Sequence, residues 1–181
     1  ELPSASFRNV DQTADPHDLV SYLDQVTGLE AAQAYKRQSF ALMGVQPGHA
    51  VLDVGCGAGD DLRQLAELVG PSGRVVGVDN SETMVQQARG RCVGLAVECY
   101  VGDAYHLEFS DDTFDSCRAD RIFQHLESPQ QALSELVRVA RAGGRIAISD
   151  TDWDTMAVDA ADRALTRQIV AFRCGKQRNG W

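Results

Sequence analysis

The run Asp53-Val54-Gly55-Cys56-Gly57-Ala58-Gly59-Asp60 sets three alternate glycines between acidic residues. Glycine lets a chain turn sharply and lets a ligand approach the backbone with no side chain in the way. The spacing is G-x-G-x-G and not the G-x-G-x-x-G of dinucleotide folds, because Asp occupies position 60. A carboxylate there repels a pyrophosphate, which counts against NAD or FAD; it is tolerable beside a ligand that carries an ammonium and a sulfonium. Asp79 follows Gly59 by about 20 residues, where a carboxylate can take both hydroxyls of a ribose. Gly102-Asp103 closes the next apolar run. A glycine loop by itself reads equally well as a tight turn beside a solvated aspartate. The register of Asp79 and Asp103 at successive strand ends is what favours a ligand site.

Those strand ends depend on the elements around them. Residues 50–54 are a short apolar run ending in glycines, which predicts a buried parallel strand. Further strands are expected at 74–78, 95–101, 114–119 and 145–149. Helical spacing of Leu62, Leu65, Ala66 and Val69, and of Met84, Val85 and Ala88, predicts crossover helices between them. Ser128-Pro129-Gln130-Gln131 reads as a capping box with proline at the first helical position. The helix it opens is expected to stop at Gly143-Gly144. Upstream, Asp15-Pro16 begins a helix that ends at Gly28, and a second covers 29–43; a last helix is expected over 160–173. Such alternation implies βαβ units and an α/β fold with a doubly wound parallel sheet, whose ligands sit beyond the C-terminal strand ends.

Composition bounds the rest. The 181 residues suit one domain with a real core, and a formal net charge of −9 without a basic cluster weighs against a nucleic-acid partner. Arg138 and Arg141, one helical turn apart, read as a solvated face. No apolar run approaches the ~20 residues of a membrane span, and residues 1–10 show no signal-peptide pattern. Five cysteines without a CxxC pair predict free thiols in a reducing cytoplasm and no metal site.

With these motifs in order, the chain resembles the class I S-adenosylmethionine (AdoMet) dependent methyltransferases. Residues 51–59 look like their first motif, Val78-Asp79-Asn80-Ser81-Glu82-Thr83-Met84 like the segment after it, and Gly102-Asp103-Ala104 like the stretch that cups the adenine. Residues 136–145 resemble the helix that leads into strand five. The group it most resembles includes the ubiquinone/menaquinone-biosynthesis C-methyltransferases. The resemblance implies a Rossmann-like sheet of order 3-2-1-4-5, a lid segment at 1–44 and an AdoMet-binding domain at 45–181. It implies that Gly55, Cys56 and Gly57 pass under the methionine part of AdoMet, with Asp53 steadying the loop. Asp79 would bind the ribose, Asn80 and Met84 would flank it, and Gly102, Asp103 and Ala104 would face the adenine. Arg121 and Arg37 are further cofactor contacts on this reading, and S-adenosylhomocysteine (AdoHcy) would be the product.

Methyl transfer needs the nucleophile held in line more than it needs a strong catalyst. After strand four the chain reads Ala119-Asp120-Arg121-Ile122-Phe123-Gln124-His125, without the Asp/Asn-Pro-Pro-aromatic motif of nucleobase and glutamine N-methylating enzymes. His125 is the candidate general base; it reads also as a loop-fixing histidine. Tyr22, Trp153 and Asp150 are candidate substrate contacts, Asp150 within an acidic group with Asp152 and Asp154. The acceptor implied is a small molecule. The antiparallel hairpin that usually completes the family's sheet is not found after strand five, which implies either a C-terminally incomplete chain or an exposed edge open to oligomer formation. A non-catalytic AdoMet-binding or partner-binding module is the alternative reading.

Overall fold

The computed structural model describes residues 7, 9–13, 15–153, 155, 156 and 161–175. After a one-turn helix at Val10–Gln12 come α1 (Pro16–Thr27) and α2 (Glu30–Met43). Alternation then begins: β1 (Ala50–Val54), α3 (Asp60–Val69), β2 (Arg74–Asp79), α4 (Glu82–Arg91) and β3 (Val97–Val101). It continues with β4 (Phe114–Asp120), a one-turn helix at Phe123–His125, α5 (Pro129–Val139), β5 (Ala140–Ser149) and α6 (Arg163–Cys174). The five strands form one parallel sheet of order β3-β2-β1-β4-β5, as expected.

Period-two alternation divides the core. Val51 and Val75 point to one face, where α2, α3 and α4 cover them with Phe40, Met43, Leu62, Leu65 and Val85. Leu52 and Val76 point to the other face, under α5 with Leu136 and Val139 and under the 104–109 segment with Leu107. A third, smaller cluster joins Val10, Leu19 and Val20 to Ala58 and Met84, so the N-terminal segment lies across the glycine loop. The last carbonyls of α2 are satisfied by the sheet: the Ser116 hydroxyl donates to Met43 O at 3.0 Å and Arg145 donates to Leu42 O at 2.9 Å.

Three local expectations are corrected. The Gly143-Gly144 pair does not end α5, which stops at Val139; it lies inside β5. Ala140 pairs with Phe114 and Arg145 with Ser116, so the residues between bulge outward, with Gly143 at φ 81°. The capping box does not close either, since Ser128 makes no side-chain cap and the Gln131 side-chain Nε2 donates to Tyr105 O at 3.3 Å. Arg138 is no solvated residue: it donates to Leu107 O and Phe109 O at 2.7 Å and pairs with Glu135 at 2.8 Å. α6 begins at Arg163, and Ala160 lies outside the described residues. Among the described residues no strand follows β5, which is an outer strand of the sheet, and no helix is long and apolar enough to cross a membrane.

The first turn of α4 is capped from outside its own strand-helix unit. Asp11 accepts from the Ser81 hydroxyl at 2.7 Å and from the amides of Glu82 at 2.9 Å and Thr83 at 3.2 Å. Burial would raise its carboxyl, but these hydrogen bonds outweigh it and hold the pKa below the usual value. Loss of such a cap costs about 1 kcal/mol. Asp11→Ala is therefore expected to lower the unfolding free energy by about 1 kcal/mol in a urea titration at pH 7. The deficit should shrink in acid, because a depressed carboxyl pKa stabilises above its unfolded value and is lost as pH falls through the folded one. An unchanged midpoint would show that the strap contributes nothing to holding α4.

Candidate active site

The glycine loop is held from below and from the side. The Gly55 and Cys56 amides donate to Val78 O at 2.7 and 3.1 Å, which binds the loop to the end of β2. Asp79 takes the Gly57 amide on Oδ2 at 2.9 Å and the Ser81 amide on Oδ1 at 3.0 Å. Burial pushes its carboxyl up, and those two amides oppose the shift. Gly55 has φ 75°, and a Cβ there would stand 2.1 Å from Ile122 Cγ2. Cys56 turns inward, its Sγ 2.8 Å from where a Cβ on Gly77 would be, so small side chains are needed at both positions.

Above the loop lies a cleft of about 690 Å³ at the C-terminal strand ends, within the range of ligand sites, roughly 300–1,000 Å³. Most of the predicted site residues reach it. Gly55, Cys56, Gly57, Asp79, Asn80 and Met84 line one part, Gly102, Asp103 and Ala104 the next, and Tyr22, Arg121, His125 and Trp153 the rest. Asp103 also accepts the Tyr105 amide at 2.9 Å, which fixes its carboxylate at the turn. Three expected contacts do not reach the cleft. Arg37 is exposed on the outer side of α2, and the buried neighbour Lys36 lines the cleft instead, because the helix turns position 36 inward. Asp53 is 1 % exposed beneath the loop and pairs with Arg118, not with a loop amide. Asp150 lies beside the cleft without lining it.

Asp60 also behaves differently from the expectation of a bare charge. Arg91 reaches it at 2.7 Å and binds Asp24 of α1 at 2.8 Å. Its repulsion of an anionic ligand is thereby weakened, and the distinction from dinucleotide folds rests on the loop itself.

Sequence reading missed the ionic cluster under the cleft. Arg118, 2 % exposed, contacts Asp53 at 3.2 Å, Asp61 at 2.9 Å and Asp120 at 2.9 Å. Lys36 gives its ammonium to both oxygens of Asp61 at 2.9 Å. Asp120 also receives the Tyr35 hydroxyl at 3.0 Å and the Ser149 hydroxyl. Burial pushes the Asp53 carboxyl up against the pull of Arg118. The signal was present: Asp53 is the lone charge in the apolar strand β1, Arg118 is the lone base in β4, and the two are Cα partners across these central strands.

The sequence pattern of the family described as methyltransferase domain matches residues 46–177. The chain belongs to the class I AdoMet-dependent methyltransferases. It is 46% identical over 158 residues to an uncharacterized 37.1 kDa protein in a transposon of Streptomyces fradiae, covering 84% of this chain and 46% of that protein. It is 32% identical to demethylmenaquinone methyltransferase of Bacillus cereus, covering 81% of this chain and 62% of the relative. Among solved structures, a SAM-dependent methyltransferase of Aquifex aeolicus superposes with TM-score 0.62 at 29% identity, covering 77% of each chain. The chain thus spans about half to three-fifths of the length of these curated relatives.

At this end of the cleft the segment after β4 and the segment after β5 interlock. The Arg121 amide donates to Ser149 O at 2.7 Å, the His125 amide to Ile122 O at 2.8 Å, and Trp153 Nε1 to Gln124 Oε1 at 2.6 Å. Asp150 sits behind this junction. Burial pushes its carboxyl up to about 6, with the backbone of Gln124 opposing and the charge of Asp120 adding to the rise. Asp152 is exposed and Asp154 lies outside the described residues, so the expected acidic group is represented by Asp150 and Asp152.

Two measurements follow from these buried charges. Truncating one partner of a buried ion cluster costs about 3–5 kcal/mol, so Arg118→Met should destabilise the fold by that order. Adding Asp53→Asn should recover part of the loss in a double-mutant cycle; purely additive losses would contradict a direct pairing. Asp150 has a raised folded pKa, so its ionisation opposes folding. The penalty is absent below the unfolded value near 3.8 and complete above about 6. Asp150→Asn should therefore be more stable than the parent at pH 7, by about 1–2 kcal/mol after allowance for partial solvent access. Its advantage should vanish at pH 4, and a constant difference across that window would contradict the burial argument.

Proposed function

We propose that this chain transfers the methyl group of AdoMet to a small-molecule acceptor. The observation that carries the reading is Asp79: a carboxylate at the end of β2, with each oxygen already fixed by a backbone amide, at the edge of a loop that leaves no room for a Cβ at Gly55 or Gly59. Each carboxylate oxygen has a further lone pair, so two ribose hydroxyls can be met without rearrangement. Gly55, Cys56 and Gly57 would pass beneath the methionine part, Asn80 and Met84 would flank the ribose, and Gly102, Asp103 and Ala104 would receive the adenine. Bound there, AdoMet supplies a methyl group already activated by its sulfonium.

The chain's own work is then to hold the acceptor and exclude water. Tyr22, His125 and Trp153 line the part of the cleft left over, and His125 is the group able to take a proton from a hydroxyl or amine. Residues 1–44 would act as a cover over a binding domain at 45–181, which the packing of Val10, Leu19 and Val20 on Ala58 and Met84 supports. A small acceptor fits the net charge of −9, which disfavours phosphate polymers, and fits the relative named for demethylmenaquinone.

Calorimetric titration with AdoMet and AdoHcy tests the proposal. The parent should bind both, and Asp79→Ala should bind about tenfold more weakly or worse, ~1.4 kcal/mol. A folded parent that binds neither overturns the reading. Binding without turnover on any acceptor would instead support a cofactor-holding module.

A further inference from the structure

Among the described residues two that are not glycine have positive φ, Asp112 at 54° and Arg121 at 58°. Asp112 lies in a turn, where aspartate tolerates this region. Arg121 has no such excuse: an L-residue with a long side chain is strained there, and such strain persists only where the surroundings enforce it. The enforcement is visible. Its amide donates to Ser149 O at 2.7 Å, its carbonyl accepts Gln124 Nε2 at 3.0 Å, and Gln124 is held by Trp153 at 2.6 Å. The next residue, Ile122, abuts Gly55. The turn carries the Arg121 side chain into the cleft, where it is 27% exposed.

The other cleft cations are committed. Lys36 is held by both oxygens of Asp61, and Arg118 is shared among three carboxylates. Arg121 makes one ion pair among the described residues, at 3.8 Å to Asp120 Oδ2. That oxygen already takes the Tyr35 hydroxyl at 3.0 Å and Arg118 Nη2 at 2.9 Å. A guanidinium presents a planar fork matched to anionic oxygens. The strand order separates the ends of the cleft: Asp79 and Asp103 stand over β2 and β3, the glycine loop over β1, and Arg121 with Trp153 over β4 and β5. We propose that Arg121 grips an anionic oxygen of the methyl acceptor, which makes the acceptor a small organic anion seated beside Trp153 and Tyr22. This rests on the methyl-transfer reading and adds the acceptor's charge to it.

The test uses AdoHcy-saturated protein titrated with benzoate and with the neutral isostere benzamide, followed by ligand-observed NMR. Benzoate should bind at least about tenfold more tightly than benzamide. Arg121→Gly and Arg121→Gln should remove that preference while AdoHcy affinity stays within about threefold. Because glycine relieves the positive φ, Arg121→Gly should also melt at or above the parent temperature. A residue kept for structure would do the opposite, lowering the midpoint and leaving benzoate preference intact, and that result overturns the proposal. It is equally overturned if benzoate is not preferred, or if the loss falls on AdoHcy, since the guanidinium would then serve the cofactor's carboxylate. Failure of the parent to take up AdoHcy at all is a separate outcome, which overturns the methyl-transfer reading and the acceptor role with it.

Discussion

A guanidinium in the middle of a parallel sheet must be neutralised, and the arrangement around Arg118 follows from that need. Moving an ion from water into such a place costs several kcal/mol, which only well-placed opposite charges and hydrogen bonds return. Asp53 answers from the neighbouring strand, Asp61 from the first turn of α3, and Asp120 from two residues along the same strand. Lys36 joins from α2 because Asp61 would otherwise carry excess negative charge into the core. Four elements are thereby held in one relative position: β1, β4, α3 and α2. Apolar packing alone tolerates small slides between a helix and a sheet, whereas charge pairs near 3 Å do not. The floor of the cleft is rigid for this reason.

The glycine loop rests on that floor, and its shape is set by exclusion as much as by attraction. Ile122 and Ala88 occupy the space that side chains at Gly55 and Gly59 would need. The loop is therefore pressed between the turn after β4 and the face of α4. Asp79 then fixes its free side by accepting the Gly57 amide, while the same carboxylate holds the start of α4 through Ser81. Asp11 reaches the next two amides of that helix from the N-terminal strap. A carboxylate at each level satisfies the amides that a helix start leaves unpaired; the hydrogen bonds hold the Asp11 carboxyl below its usual pKa, whereas at Asp79 burial outweighs them and pushes the carboxyl up.

β1, β2 and the crossover helices were legible in the sequence because the strands are short apolar runs bounded by glycine or aspartate and the helices carry apolar residues at helical spacing. The strand-end acids Asp79 and Asp103 were legible for the same reason, since their position relative to the apolar runs is a one-dimensional fact. What required the third dimension was partnership. Lys36 and Arg37 differ by one residue, yet one is buried against Asp61 and the other points to solvent; only the helix phase against the sheet decides this. Gly143-Gly144 carries the usual sign of a helix stop, but the pairing of Ala140 with Phe114 starts the strand earlier and absorbs the glycines as a bulge. Asp60 looked like a bare charge because Arg91 lies on the next helix. Arg121 carried no sign of its backbone conformation at all, since glycine and asparagine, and not arginine, announce a left-handed turn.

Rigidity of the floor and strain at the rim are connected. A left-handed arginine could relax only if the ends of β4 and β5 moved apart or if the glycine loop gave way. Asp120 prevents the first, because it ties Arg118 on its own strand to Ser149 on the next. Ile122 prevents the second, because it is seated on Gly55 while the loop is bound to Val78 and Asp79. A reaction whose main demand is alignment of two partners benefits from this economy. On the proposed reading, a partner over β1 and β2 would meet the loop bound to Val78 and Asp79, and a partner over β4 and β5 would meet Arg121, whose turn abuts the same loop through Ile122. The two halves of the cleft therefore share the turn from Asp120 to Ile122, through which the fold would set the spacing of the two proposed occupants.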